Sequence, residues 1–185
     1  MAKKIKLTRP ELKRQRDELQ RFEHYLPMLK LKQQQLQIAL RDVAAERSKT
    51  KRALEESREA FEPYRAVLAD RAGVNLATLA KPEKTTTGEG NIAGVHVPVF
   101  KDVQFAEATY SLFATPAWVD RALADMREIA RRESALNIID EQYKLIRAEL
   151  TKITQRVTLF EKVKIPEAQE AIRVIRIKLG DEMTA

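Results

Sequence analysis

The chain has 185 residues, with 34 Lys and Arg against 27 Asp and Glu, a formal net charge of +7, 33% charged residues and 6% aromatic ones. It has no cysteine and only five glycines, which excludes disulfides, thiolate metal sites and a cysteine nucleophile and leaves few turns for a sheet-rich domain. No apolar run approaches the roughly 18 residues that a membrane span needs, and the basic start MAKKIKLTRPELKRQR has no apolar stretch behind it to make a signal peptide, so the expectation is a soluble, cytosolic, long and charged helical chain rather than a globular enzyme.

The excess charge is localised. Residues 1–60 carry 16 Lys and Arg against 9 Asp and Glu, which is the whole of the +7. Most of it lies in the first 16 residues: Lys3, Lys4, Lys6, Arg9, Lys13, Arg14 and Arg16 stand against one carboxylate, Glu11. Such a start is either a solvated helix face or a tip that meets an acidic or phosphate-rich surface.

The first long segment runs from Thr8 to Tyr64. Thr8 is placed as an N-cap, with Pro10 in the first turn and Glu11 at the capping-box position. One seam then reads Leu12, Leu19, Leu26, Gln33, Leu40, Arg47, Leu54, Phe61. Three residues on, the companion reads Gln15, Phe22, Leu29, Leu36, Val43, Thr50, Ser57, Tyr64. A seven-residue repeat rich in leucine is the signature of a coiled coil. Pro27 should remove one backbone hydrogen bond and bend the helix without ending it, because the heptad phase continues through Leu29 and Leu36.

Residues 65–114 change character. Arg65–Ala80 reads as helix interrupted at Gly73, Lys81–Gly90 as a polar loop, and Asn91–Phe105 as a short hairpin punctuated by Gly94 and Pro98. A hairpin alone is marginal, so it must lean on the helices or on a partner.

The second long segment, within 115–185, starts near Thr115-Pro116 and runs to Leu179. Its seams read Ala122, Ile129, Leu136, Tyr143, Leu150, Val157 and Asp125, Arg132, Ile139, Ile146, Ile153, Phe160. Pro166 should perturb it, Ile172, Ile175 and Leu179 carry apolar spacing beyond, and Gly180 reads as a C-terminal stop. At 1.5 Å per residue the two helices would span about 85 and 97 Å. The expected fold is all-α: a long antiparallel two-helix coiled coil (1–64 with 115–185) with a short central β-hairpin insertion in 65–114.

No catalytic, cofactor or metal site is expected. His24 and His96 have no metal-ligand spacing. Gly88-Glu89-Gly90 with Gly94 is not a phosphate loop and reads as turn chemistry. Asp125, Glu128 and Glu133 sit on a charged helix and read as solvated. The polar seam positions Gln33, Arg47, Thr50, Ser57, Asp125 and Arg132 carry more information. They either fix the register of the coil or mark a part of it that another protein of an assembly covers.

Three stretches resemble one family. Thr8-Arg9 with Leu12 and Leu19, then Leu29-Lys30 with Lys32 and Leu36, is similar to the N-terminal helix of the D subunit of the V-type rotary ATPases. Asn91-Ile92-Ala93-Gly94-Val95-His96-Val97-Pro98 resembles its hairpin pattern N-[VI]-x-G-V-x-[VI]-P, carried here by Asn91, Gly94, Val95 and Pro98. Arg156-Val157-Thr158-Leu159-Phe160-Glu161-Lys162-Val163-Lys164-Ile165-Pro166 resembles R-V-N-A-L-E-x-V-x-I-P, carried by Arg156, Val157, Glu161, Ile165 and Pro166. The chain departs from the pattern at Thr158, Leu159 and Phe160, and at Pro27, which fits a divergent bacterial branch.

The resemblance implies a central-stalk rotor shaft on the cytoplasmic face of the membrane. Such a shaft couples ATP synthesis or hydrolysis in a catalytic A/B hexamer to proton or sodium transport. It implies as partners that hexamer, the F subunit and the membrane-side protein capping the rotor ring, with no bound nucleotide or other cofactor, no nucleic acid and no membrane insertion. On this reading the basic start (Lys3, Lys4, Lys6, Arg9, Lys13, Arg14, Arg16) lies beside Ile172–Leu179 inside the head. The F subunit then binds over residues 40–65 and 120–150, around Arg47, Thr50, Ser57, Asp125 and Arg132. A charged outer surface suits a shaft that must turn in its sleeve. Two alternatives compete. A prefoldin-like chaperone would want apolar helix tips where this chain is basic. A nucleic-acid-binding arm would want aromatics interleaved with the basic residues, and the first 20 residues have none.

Overall fold

The computed structural model describes residues 6–65, 73–110 and 115–184. The elements in chain order are helix α1 (Arg9–Arg65), helix α2 (Leu76–Leu79), strands β1 (Pro82–Ile92) and β2 (Val95–Phe105), helix α3 (Trp118–Leu159), a π-helical turn (Phe160–Lys164) and helix α4 (Ile165–Thr184). The chain divides into a terminal unit, Met1–Gln37 with Ala148–Ala185, and a central unit, Ile38–Arg147.

The amide N–H of Leu12 donates to the carbonyl of Thr8 at 3.0 Å, which starts α1 as an N-cap residue should. The Glu11 carboxylate instead accepts from Gln15 at 2.9 Å and pairs with Arg14. Pro27 lies on an exposed side of an unbroken helix, where losing one N–H exposes no buried carbonyl. The heptad seam is the sheltered face along α1. Leu36, Val43 and Leu54 are buried, the other described seam residues are half-buried, and Arg47 alone among them is exposed.

In the terminal unit α1 pairs antiparallel with the C-terminal helical segment: Gln33 bonds Thr154 at 3.0 Å and Lys30 bonds Glu161 at 2.8 Å, so one number falls as the other rises. Ile153, Val157, Ala168, Ala171, Ile172 and Ile175 are its buried residues on that side. In the central unit the same antiparallel sense holds, with Arg58 on Glu133 at 2.5 Å and Arg47 on Asp140. There a small core of Leu76, Ala80, Val119, Ala122 and Leu123 gathers Phe61, Trp118 and Met126 around it.

Four expectations are corrected. The segment Lys81–Gly90, read as a loop, is mostly β1, paired antiparallel with β2 from Pro82↔Phe105 to Ile92↔Val95, with register shifts at Pro82/Lys84 and Thr86/Thr87. Its glycines are strand residues, not turn residues. Gly88 and Gly90 face Val99 and Val97, and a Cβ at Gly90 would come within 2.7 Å of Val99 Cγ2; the strand is glycine-rich because the partner's side chains fill that room. Second, of the helix read over Arg65–Ala80, the described residues 73–80 hold only Leu76–Leu79 as helix, capped by Asn75, whose Oδ1 accepts from Thr78 N–H at 3.2 Å. Gly73 has φ +74°, a left-handed conformation at the interruption expected there; residues 66–72 lie outside the described ones. Third, α3 begins at Trp118, just beyond Thr115-Pro116. Fourth, Gly180 does not stop the chain's last helix, which continues to Thr184.

Candidate functional site: the seam, the hairpin turn and the outer faces

The hairpin turn is built by its own residues. Ala93 (φ 50°) and Gly94 (φ 79°) both adopt the left-handed conformation, as a two-residue turn matched to strand twist requires. Asn91 Oδ1 accepts the Gly94 N–H at 2.8 Å, so the Asn-x-x-Gly spacing is an Asx-type brace. The hairpin then lies along α3. Gln142 Nε2 donates to the Pro98 carbonyl at 2.6 Å, Arg131 faces Asp102 at 3.6 Å, and Arg127 donates to the Ala106 carbonyl at 2.6 Å. Arg127 also donates to the Leu79 carbonyl at 3.2 Å and stacks over Phe105 at 5.2 Å. One half-buried guanidinium thus ties α2, β2 and α3 together. Sequence reading missed Arg127 and Gln142, because an arginine among arginines and a glutamine on a helix carry no spacing that marks them.

The polar seam positions meet one another. Arg132 donates to the Ala53 carbonyl at 2.6 Å and to the Ser57 hydroxyl, while its Nε holds Glu128 at 2.9 Å. Ser57 in turn donates to Ala53 at 2.8 Å. Arg47 pairs with Asp140 and sits 5.9 Å from the centre of the Tyr143 ring. The bonds from Arg132 to Ala53 and Ser57 and from Arg47 to Asp140 each fix one rung of α1 against one rung of α3, so Arg47, Ser57 and Arg132 act as register pins. Thr50 and Asp125 are half-buried. In this chain, therefore, three of the five residues read as a docking surface are engaged internally.

At the basic start, Lys3 and Lys4 lie outside the described residues. Lys6, Arg9 and Lys13 are exposed. Arg14 is held on its own helix by Glu18 at 3.2 Å and by Glu11. Its guanidinium pKa is raised, first by the hydrogen bond to Glu18 and then by the charges of Glu11 and Glu18. Arg16, Leu19, Gln20 and Glu23 share a shallow groove with Gln169, Ile172 and Arg176 of α4.

The C-terminal motif meets the N-terminal one. Glu161 accepts from Lys30, and that hydrogen bond, reinforced by the lysine's charge, holds its carboxyl below the ordinary value. Phe160 stacks on Phe22 with ring centroids 5.1 Å apart. Val157 is buried, Ile165 is half-buried, and Arg156 and Pro166 are exposed.

The outer face of the terminal unit is not uniformly charged, contrary to the expectation for a bearing. Met28 (58%) and Leu31 (57%) of α1 and Ile177 (53%) of α4 expose more than half their surface, with Val174 beside Ile177 on the exposed side of α4. His24 and His96 are exposed, and no group of metal-binding side chains occurs among the described residues. Among those residues no helix is long and apolar enough to cross a membrane.

The family described as the ATP synthase D subunit matches the chain over residues 11–185. The chain is 35% identical to the V-type ATP synthase D subunit of Borreliella burgdorferi, the match covering 98% of this chain and 89% of that protein. It is 36% identical to the proteins of the same name from Chlamydia felis and Chlamydia abortus, again over 98% of this chain and 88% of each. Family match, relatives and the braced hairpin agree: the chain belongs to the family of the ATP synthase D subunit, in its V-type branch.

Proposed function

We propose that this chain is the central-stalk rotor shaft of a V-type ATPase, coupling ATP turnover in a catalytic A/B hexamer to proton or sodium transport, and that it does no chemistry itself. The observation that carries the reading is the family match over residues 11–185, together with V-type D-subunit relatives whose matches span 98% of this chain. On that reading the terminal unit is enclosed by the hexamer, where its exposed Met28, Leu31, Val174 and Ile177 meet the surrounding wall. The basic start, Lys6 to Arg16 with Lys3 and Lys4 ahead of it, faces an acidic collar there. The F subunit binds over residues 40–65 and 120–150, and the membrane-side protein capping the rotor ring is a further partner. Internally pinned rungs at Arg47 and Arg132 support this. They make that part of the coil a rigid platform instead of a loose one.

Reconstitution into vesicles tests the function. Catalytic head and membrane sector combined with this chain should show ATP-driven ion uptake, and leaving the chain out should abolish uptake while the head still hydrolyses ATP. Uptake that persists without the chain would overturn the reading.

A further inference from the structure

The buried residues of the C-terminal helical segment change phase once. Leu150, Ile153 and Val157 keep the heptad spacing of three and four, and Phe160, in the next seam position, packs on Phe22. Beyond the π-helical turn the sheltered set is Ile165, Ala168, Ile172, Ile175 and Leu179, again spaced by three and four. Val157 to Ile165 is eight residues, however, where the repeat demands seven. One residue too many in a continuous α-helix would rotate everything after it by about 100° and carry Ile172 and Ile175 off the seam. The π-helical turn Phe160–Lys164 lies inside that interval. There the Ile165 N–H reaches the Phe160 carbonyl, five residues back, so the turn holds one residue more than an α turn would.

We propose that the π-helical turn is a register device: it absorbs the extra residue, keeps the α4 seam on α1, and is pinned in place from both sides. Pro166 pins it from the C-terminal side. It has no N–H to donate, and in a regular α-helix its ring would press on the carbonyl four residues back, at Lys162. The widened turn relieves that contact. From the other side the Phe22–Phe160 stack and the Lys30–Glu161 pair fasten the residues that open the turn to α1. The position of the turn is therefore set by contacts, and the phase of α4 follows from it. The device concerns this chain alone, whatever it binds.

The test uses the full chain, which has no cysteine of its own. Leu19 and Ile172 line the same groove, so the pair Leu19→Cys with Ile172→Cys reports the seated face of α4 by disulfide formation, and Leu19→Cys with Val174→Cys reports the wrong face. Deleting Lys162 together with Pro166→Ala removes the extra residue and the proline's objection to an α-helix. The seated cross-link should form as in the parent, with melting shifted by about 5 °C or less. Pro166→Ala without the deletion should keep the seated cross-link, since the extra residue must still be absorbed. Inserting one alanine after Lys162 should abolish the seated cross-link. If the deletion loses the Ile172 cross-link as completely as the insertion does, or if the insertion retains it, the turn is not a register device.

Discussion

The two units hold the same kind of helix pair by different means. In the terminal unit the C-terminal helical segment buries an apolar row from Ile153 to Ile175, crossed by the neutral Gln33–Thr154 bond, and the charges, Lys30–Glu161 and Lys32–Glu149 among them, stand on its flanks. In the central unit charged side chains enter the seam itself, at Arg47–Asp140 and Arg132–Ser57, and α2 and the hairpin add buried apolar residues from outside the helix pair, Leu76, Val97 and Val103 among them. An apolar seam is strong but tolerant of slipping by a heptad. A bonded polar rung is weaker but unique in register. The chain uses strength where its termini pair and specificity of register in the central unit.

The largest effect is expected from the apolar seam. Ile153→Ala or Ile175→Ala, each fully buried, should cost about 2–5 kcal/mol, read as a lowered denaturation midpoint. Arg127→Ala in the central unit should come next. It strands the carbonyls of Leu79 and Ala106 and removes the stack on Phe105, a loss of about 1–3 kcal/mol. Arg127→Lys should recover only a fraction of it, since one ammonium cannot reproduce the fork. If the arginine matters more than the buried isoleucines, the contrast between the units is drawn the wrong way round.

How much of this was legible in the residues follows the same division. The heptad seam announced itself, because burial in a coil needs only one residue type at one spacing. The family motifs placed the turn at Gly94 and the proline at 166. Strand β1 was not legible: its threonines and glycines look like a loop, and only the facing Val97 and Val99 make them a strand. Ala93 in a left-handed turn cannot be read from alanine. The phase change between Val157 and Ile165 was present in the spacing, but a proline beside it drew attention to a break instead of an insertion. Docking surfaces were the least legible. Arg47, Ser57 and Arg132 look identical in sequence whether they bond across the coil or face a partner.

Smaller effects sharpen the picture. Ala93→Gly should stabilise the hairpin by about 1 kcal/mol, because an alanine pays for the left-handed conformation and a glycine does not; a neutral or negative result in thermal melting would mean the turn is not strained. Smallest is Lys30→Ala, which removes an exposed pair whose contribution is slight and fades as salt rises. Its pH dependence has a definite sign. The Glu161 carboxyl is held below its ordinary value by Lys30, so the contribution is present above the ordinary carboxylate range and lost as pH falls through the lowered value. The parent should therefore lose stability on acidification slightly more than Lys30→Ala does.

Direct observation of turning tests the central claim. With the catalytic hexamer fixed to a surface and a bead attached through Glu56→Cys, an exposed position of the central unit, ATP should drive continuous rotation in one direction, stopping when ATP is removed. Sustained ATP hydrolysis by that assembly with the bead attached and stationary would contradict the account.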